Sequence, residues 1–465
     1  MTESLVRSTE AQQRRRCDLT RGSMHRAIWY LAPPMILELM VLNVAQVLDA
    51  YWVGQLGSAA LAAVTISATV RWVLNSLANG LGVGALAMVA RHTGARDGEE
   101  AARATGQTLL LGLAASLLVA ALGLALAERL LRLLGADANV LPLALAYLRV
   151  ALGGVLTLVL GFIINAILRG AGEARWSMRV LLVSTLTTVA LEPALIWGAG
   201  PLPALGIVGS AWAFVLGYGA GLLLQVVILV GNRSLIRLRP RHLRPDPVRM
   251  KQIVKIAFPS TVQMTLRSSS RLAILALVGL YGTFATAGYG VANRILLIAV
   301  IPCFGLGNVA ATLVGQNLGA GQAARGERSA WWVSAYAAGY MILAAVVLTI
   351  LAPSLVAQFD PTPEVVAIGA ECLRIVAWSE VAGAVGAVLG RSFDGAGNTL
   401  PAMGINLLSL WAVEVALAWA LSRGLGLGIT GVWWGRVIAN LANGFLFGLW
   451  FRRGGWKKRH MAIQG

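Results

Sequence analysis

The sequence predicts an all-α polytopic membrane protein whose twelve transmembrane helices form two six-helix lobes, related by a pseudo-twofold axis along the membrane normal. Three observations support this fold class. The 465-residue chain is 57% hydrophobic and only 12% charged, with a mean hydropathy of +0.73. Its apolar residues fall into twelve long stretches, and one half of the sequence repeats the other. Soluble proteins carry about 25% charged residues, so this composition excludes a soluble enzyme and a disordered or fibrous chain.

Each apolar stretch is long enough to cross the hydrocarbon core, which takes about 20 mostly apolar residues. Lys and Arg concentrate in alternate loops, above all in 233–255, which is typical of the cytoplasmic side. The net charge of +18 therefore faces lipid headgroups, and we expect no nucleic-acid partner. We expect a multi-pass plasma membrane protein with both termini in the cytoplasm. The predicted spans are 27–53, 59–88, 104–127, 140–168, 176–198, 204–230, 252–280, 284–314, 329–352, 364–390, 401–423 and 429–451.

An internal repeat sets the domain organisation. Pro34 and Pro259 are 225 positions apart, and Arg103 and Arg328 share that offset. Each repeat contains six spans, so the repeats are parallel and we expect a cavity between them, as in secondary transporters. The chain contains no GxxxxGK[ST] motif, so an ion gradient is the expected energy source. The predicted segments are a polar lead (1–26), an N-terminal lobe (27–231), a basic linker (232–251), a C-terminal lobe (252–451) and a basic tail (452–465).

Acidic residues within the spans are the first candidates for function, because a charge near the bilayer centre costs about 2.5–3.5 kcal/mol on insertion scales. Glu38 and Asp49 are 11 residues apart, close to three helical turns, so they share a face with Gln46. Glu192 and Thr188 form a similar stripe on the fifth span. We expect these side chains to face a cavity. The alternatives are a structural partnership with a nearby Arg or amide for Asp49, pairing with Arg179 or capping of local backbone for Glu192, and interhelical hydrogen bonding for Glu38.

Competition between a proton and a cationic substrate is the predicted mechanism. Burial penalises the charged forms of Asp49 and Glu192, so protonation from outside would release a bound cation. Pro33 and Pro34 leave carbonyl groups of the first span unpaired and predict a hinge there.

The second half supplies a different set of candidates. Arg267 and Arg271 lie one turn apart in the seventh span and would line the C-terminal cavity, where they would admit an anionic group. Their alternative role is to pair with Glu380 or Glu414, which are themselves candidates for ion coupling and for the substrate cavity, respectively. Asn165 of the fourth span completes the predicted substrate cavity.

Several segments resemble transporters of the multidrug and toxic compound extrusion (MATE) family. They are Ala-Pro-Pro at 32–34, Val-Leu-Asp-Ala-Tyr-Trp-Val-Gly-Gln-Leu-Gly at 47–57, Arg-Gly-Ala-Gly at 169–172, Leu-Glu-Pro-Ala-Leu-Ile-Trp-Gly at 191–198 and Leu-Gly-Ile-Val-Gly-Ser-Ala at 205–211. The resemblance covers nearly the whole chain in the right order. It implies a fold of two six-helix lobes, and export of organic, often cationic compounds in exchange for protons or sodium.

The resemblance also carries residue roles. Asp49, five residues before Gly54, matches the family's first-span acid. Thr188-x-x-x-Glu192-Pro193 is similar to the fifth-span Asn-x-x-x-Asp-Pro pattern of one prokaryotic branch. The other branch has acids in spans seven and ten. In this chain, span seven contains Arg267 and Arg271 instead, and span ten contains Glu380. These features place the chain closer to the DinF-like branch than to the NorM-like one, and favour coupling to protons over sodium.

Two other functions stay open. A flippase for lipid-linked or polysaccharide-linked substrates, within the same wider superfamily, would have a cavity dominated by the arginines. A membrane-embedded enzyme or a channel is disfavoured, because no nucleophile–base pair emerges and the acids of the two halves do not match. We expect small organic substrates, contact with membrane lipid, a monomer, no cofactor, and no bound metal other than Na⁺.

Overall fold

A computed structural model describes residues 18–199, 203–231 and 233–457; for 72–74 it describes the backbone alone. This part of the chain contains helices and no strand. Apolar stretches become helices because only a helix satisfies every backbone N–H and C=O within one segment in lipid. The helices are α1 (Met24–Gly54), α2 (Ser58–Gly94), α3 (Gly98–Leu133), α4 (Val140–Gly153 and Val155–Gly170, bent by 50°), α5 (Ala174–Trp197), α6 (Ile207–Val230), α7 (Pro247–Gly279), α8 (Thr283–Gly319), α9 (Ala323–Ile350), α10 (Pro363–Gly395), α11 (Thr399–Gly424) and α12 (Ile429–Arg452).

The twelve helices coincide with the twelve predicted spans, and the predicted fold class is confirmed. Ten of them are long and apolar enough to cross a membrane when the bent α4 is counted once. The other two, α7 and α12, are less apolar because they carry Arg267, Arg271 and Arg436. The predicted lead and tail lie largely outside the described residues, and the boundaries of the two lobes stay a prediction.

The N-terminal parts of α1 and α7 cross between the halves of the molecule. Ile28 and Leu31 of α1 pack in the core of the C-terminal half, while Ile253 and Ile256 of α7 pack in the core of the N-terminal half. Both pairs are separated by the repeat offset of 225 positions. The exchange is therefore reciprocal and couples the two halves at one end of the bundle.

This end, where α2, α4, α8 and α10 terminate next to the linker, is here called the basic face. Thr312 Oγ1 and Gln316 Nε2 of α8 donate hydrogen bonds to the carbonyl oxygens of Arg169 (3.1 Å) and Gly170 (2.8 Å) at the end of α4. The last carbonyl groups of a helix lack partners within it, so α8 supplies donors for α4. These contacts close the two halves together at the basic face.

Candidate functional site

Two carboxyl groups meet in the N-terminal half. Asp49 on α1 is partly exposed, and its Oδ1 accepts a hydrogen bond from Ser210 Oγ of α6 at 3.0 Å. Glu192 on α5 is only 1% exposed, and its carboxyl group lies against that of Asp49. The structure therefore brings together the two acids singled out in the sequence; we call them the acid pair.

Cationic and hydroxyl groups surround the acid pair. The guanidinium group of Arg71 on α2 stacks over the rings of Tyr147 and Phe214, at 5.5 Å and 4.9 Å from their centroids. Arg71 also interacts electrostatically with Glu192. Neither oxygen of Glu192 accepts a hydrogen bond of good geometry within the described residues, so its polar atoms have spare capacity.

The acid pair is suited to hold one exchangeable proton. Two carboxylates in contact repel each other, and burial adds to the cost of ionising both. A proton shared between Asp49 and Glu192 removes the repulsion and gives the Glu192 oxygens a hydrogen-bond partner. A monovalent cation at the same place would act similarly. The described residues contain no cluster of three or more His, Cys, Asp or Glu side chains suited to a metal ion.

Other predicted residues of the N-terminal half lie in different surroundings. Gln46 is exposed. Thr188 donates its hydroxyl to the carbonyl oxygen of Ser184 at 2.9 Å and packs against Gly217, where a β-carbon would lie 1.9 Å from Thr188 Oγ1. Asn165 lines a smaller cavity of about 270 Å³ between α4, α5 and α6, and its Oδ1 accepts a hydrogen bond from Gln225 Nε2 at 3.2 Å.

Glu38 occupies a separate site nearer the basic face. Its Oε1 is 2.7 Å from Arg169 Nη1, and its Oε2 accepts a hydrogen bond from Ser177 Oγ at 3.0 Å. The side chains of Glu38 and Arg169 are 4% and 15% exposed, respectively. These contacts are of the interhelical kind raised for Glu38 as its alternative role, and they tie α1 to α4 and α5. Nearby, α1 continues as one helix through Pro33 and Pro34.

The C-terminal half contains a cavity, here called the arginine cavity. Glu380 of α10 is buried and forms an ion pair with Arg436 of α12 (Oε1 to Nη2, 2.8 Å). Arg436 Nη1 also donates to Asn293 Oδ1 at 3.1 Å. The carboxylate of Glu380 is therefore occupied by a fixed cation. Charged and polar side chains lining the cavity are Arg267, Ser270, Arg271, Tyr289, Glu380, Asn406, Glu414, Arg436, Asn440 and Asn443.

Arg267 and Arg271 line the arginine cavity, and they are not paired there with Glu380. Neither arginine forms an ion pair within 4.0 Å in the described part of the chain. The guanidinium group of Arg267 lies 5.9 Å from the centroid of the Phe304 ring. Glu414 instead accepts a hydrogen bond from Ser270 Oγ at 3.3 Å. It lies in a π-helical segment of α11, Leu408–Val415, and such wide turns occur frequently at functional sites.

Both halves of the chain match the MatE family, over residues 34–194 and 259–420. The two segments together cover more than half of the 465 residues. The chain belongs to the MatE family. The matched segments begin 225 positions apart, which is the repeat offset of the sequence. The predicted resemblance to MATE transporters is thus confirmed at the level of the family, while the DinF-like branch stays a prediction.

Known MATE-related proteins resemble the chain over most of its length. It is 28% identical over 423 residues to the probable multidrug resistance protein YoeA of Bacillus subtilis, covering 90% of this chain and 91% of the relative. It is 25% identical over 347 residues to a FAD transporter of Shewanella oneidensis, covering 75% and 77% of the two chains. A solved outward-facing multidrug resistance MATE transporter of the MOP superfamily aligns with a TM-score of 0.88 and 26% identity, covering 95% and 98%.

Sequence reasoning missed several residues near the acid pair and in the arginine cavity. Ser210 and Tyr147 beside the acid pair gave no signal, because single hydroxyl groups are common in membrane helices. The polar side chains of α12 did give one. Asn440 and Asn443 follow Arg436, which is itself noticeable in the sequence as an intramembrane arginine, at spacings of four and three. This spacing places the three residues on one helix face, and all three line the arginine cavity.

Proposed function

We propose that the chain is a secondary active exporter that moves organic, often cationic and lipophilic compounds out of the cytoplasm in exchange for protons. Membership of the MatE family makes it a transporter rather than an enzyme. The observation that supports proton coupling is the contact between Asp49 and Glu192. It supplies an acidic group that would bind either a proton or a cation, but not both.

Competition at the acid pair couples the two fluxes. With the pair ionised, its negative charge attracts a cationic compound from the cytoplasmic side. When the site opens outward, a proton enters, neutralises the pair and releases the compound. The protonated site then returns inward, since the penalty for a buried charge is removed. Binding of proton and substrate is mutually exclusive, so a proton gradient drives export.

The orientation follows from charge. The basic face carries the linker and the basic loops, so we place it, together with both termini, in the cytoplasm of a cell with this protein in its plasma membrane. The halves are in contact at the basic face, which supports an outward-open state of an alternating-access cycle. We expect a monomer surrounded by lipid to carry out this cycle without a cofactor.

Coupling to sodium is the less favoured form of the mechanism. Glu380, the acid of the C-terminal half in the matching span, is already paired with Arg436 at 2.8 Å. A sodium ion there would have to displace a guanidinium group. The same arrangement supports assignment to the DinF-like branch, whose acids lie in the first half. Three further roles stay predictions. They are ion coupling by Glu38, a hinge at Pro33 and Pro34, and contributions to the substrate cavity by Gln46, Thr188 and Asn165.

A flippase for lipid-linked or polysaccharide-linked substrates is the second candidate. The unpaired Arg267 and Arg271 favour it, because such substrates carry phosphate groups. A relative that transports FAD, which is anionic, is compatible with that class of substrate.

Reconstitution tests the choice between these functions. Liposomes containing the protein and loaded with ethidium would be given a pH gradient or a sodium gradient separately. Ethidium movement with the pH gradient alone supports proton-coupled export. Ethidium movement with the sodium gradient alone would assign ion coupling to Glu380 and its neighbours. No ethidium movement under either gradient favours the flippase.

A further inference from the structure

The arginine cavity contains more positive than negative charge. Three guanidinium groups line it, those of Arg267, Arg271 and Arg436, but only two carboxylates, those of Glu380 and Glu414. Arg436 and Glu380 neutralise each other at 2.8 Å. The remaining Arg267, Arg271 and Glu414 leave an excess of one positive charge when all are ionised. One monovalent anion would balance it.

Arg267 and Arg271 have free hydrogen-bond donors. Arg267 and Arg271 form no hydrogen bond or ion pair with another side chain in the described residues. Each guanidinium carries five N–H groups in a planar fork that fits a carboxylate or a phosphate. Arg267 and Arg271 are one helical turn apart on α7, so both forks reach the same space.

An apolar wall of the cavity complements the charged one. Leu296, Val300 and Phe304 of α8 follow each other at intervals of four residues and line the cavity together, with the Phe304 ring beside the guanidinium group of Arg267. The cavity therefore fits a ligand that is both apolar and anionic.

The repeat relates this cavity to the acid pair. Arg271 corresponds to Gln46 at the offset of 225 positions, and Asp49 lies one turn beyond Gln46 on α1. The two lobes thus present opposite charges from equivalent helices: acids on α1 and arginines on α7. A transported compound that carries both a cationic and an anionic group would find a partner in each half.

We propose that the arginine cavity binds the anionic group of transported compounds, so that the chain prefers zwitterionic amphiphiles bearing a carboxylate or a phosphate over purely cationic ones. This inference rests on the proposed export function. Arg267 and Arg271 are the anchors, Phe304 and its apolar neighbours accommodate the body of the compound, and the acid pair binds its cationic group.

A matched pair of dyes tests this specificity. A rhodamine methyl ester is a cation, and the corresponding free acid differs only by its carboxylate. Their dissociation constants would be measured by fluorescence polarisation with the full chain in phosphatidylcholine nanodiscs. We expect the acid to bind about tenfold tighter than the ester, since each charge-assisted hydrogen bond is worth about one such factor or more.

Four variants then assign the effect. The ratio of the two affinities should fall towards one in Arg267→Gln and in Arg271→Gln, and be retained in large part in Arg267→Lys, which keeps the charge. Arg374→Gln is the matched control, because Arg374 lies in the same half but does not line the cavity. Thermal unfolding of each variant shows that it is folded. If only one of Arg267→Gln and Arg271→Gln folds, its affinity ratio alone tests the proposal.

A ratio near one in the wild type, or an unchanged ratio in both Gln variants, would overturn the proposal. Phosphatidylglycerol added to the nanodiscs provides a second arm: loss of acid binding but not of ester binding would assign the cavity to lipid headgroups instead. Transport of the ester under a pH gradient reports on the proposed export function separately. If the ester is transported while the ratio is one, only the inference about the anionic group fails.

Discussion

Gly94 at the end of α2 and Gly319 at the end of α8 pack against each other's helices at equivalent positions of the two repeats. A β-carbon on Gly94 would lie 1.9 Å from the carbonyl oxygen of Gln316, and one on Gly319 would lie 1.8 Å from that of Arg91. Only glycine allows the two backbones to approach so closely. The pair therefore marks the place where the halves close at the basic face.

Substitution of either glycine should open this contact. Gly94→Val and Gly319→Val force the helix ends apart, and overpacking of this kind destabilises by about 1–3 kcal/mol. Gly290→Val on α8 is the control, because a β-carbon there meets nothing within 4 Å. Distances between spin labels at 96 and 322, in the loops beyond the two glycines, would report the opening. Unchanged distances in both variants would contradict a closed contact at this place.

The ion pair between Glu38 and Arg169 should contribute to stability. Removal of one partner from a buried pair costs about 3–5 kcal/mol, because the other charge is left unpaired. Glu38→Ala and Arg169→Ala should each lower the thermal unfolding temperature strongly, whereas the double variant should recover part of the loss. If the two effects simply add, the pair has no structural role. Impaired proton-driven transport in a stable Glu38→Gln variant would favour its predicted role in coupling.

Gln107 of α3 should hold the linker in place. Its Nε2 donates to the carbonyl oxygens of His242 (3.0 Å) and Arg244 (2.8 Å), and its Oε1 accepts from the backbone N–H of Asp246 (2.8 Å). Gln107→Leu leaves three backbone groups without partners, each at a cost of about 1–3 kcal/mol. Trypsin should then cleave after Arg241 several times faster than in the wild type. Equal cleavage rates would show that the linker is held by other contacts.

Asp246 should make the start of α7 sensitive to acid. The backbone N–H of Arg249, together with the Arg249 side chain, holds the pKa of the Asp246 carboxyl below its ordinary value. A pKa lowered in the folded state adds stability above the unfolded pKa, and this is lost as the pH falls through the folded value. Asp246→Ala should therefore cost about 1 kcal/mol, the usual value of an N-cap, at pH 6. The difference should shrink as the pH falls through the lowered pKa of the folded state. A difference independent of pH would exclude this electrostatic contribution.

The fold was predictable from the sequence because its determinants are local. An apolar stretch in lipid has few alternatives to a helix, and a repeat of 225 positions is visible without any knowledge of packing. The two members of the acid pair were each identifiable, since Asp49 and Glu192 are isolated charges in apolar surroundings. Their interaction with each other was not predicted, because it depends on how α1 and α5 pack.

Partnerships between distant residues were not predictable in the same way. Glu38 and Asp49 share one helix face in the sequence, yet Glu38 finds Arg169 on α4 and Asp49 finds Ser210 on α6. Which partner each acid meets depends on how α4 and α6 pack against α1. The apolar sequence of Leu408–Val415 likewise gives no sign of the π-helical turn that carries Glu414.

The most direct test of the account is proton-driven transport by variants of the acid pair. Asp49→Asn and Glu192→Gln preserve shape and remove one carboxylate each, with Glu371→Gln as a control at an acid outside both sites. In liposomes under a pH gradient, ethidium export should persist in the control and be lost in Asp49→Asn and Glu192→Gln, while all three proteins unfold at temperatures close to that of the wild type. Full proton-driven export by a folded Asp49→Asn variant would contradict the account.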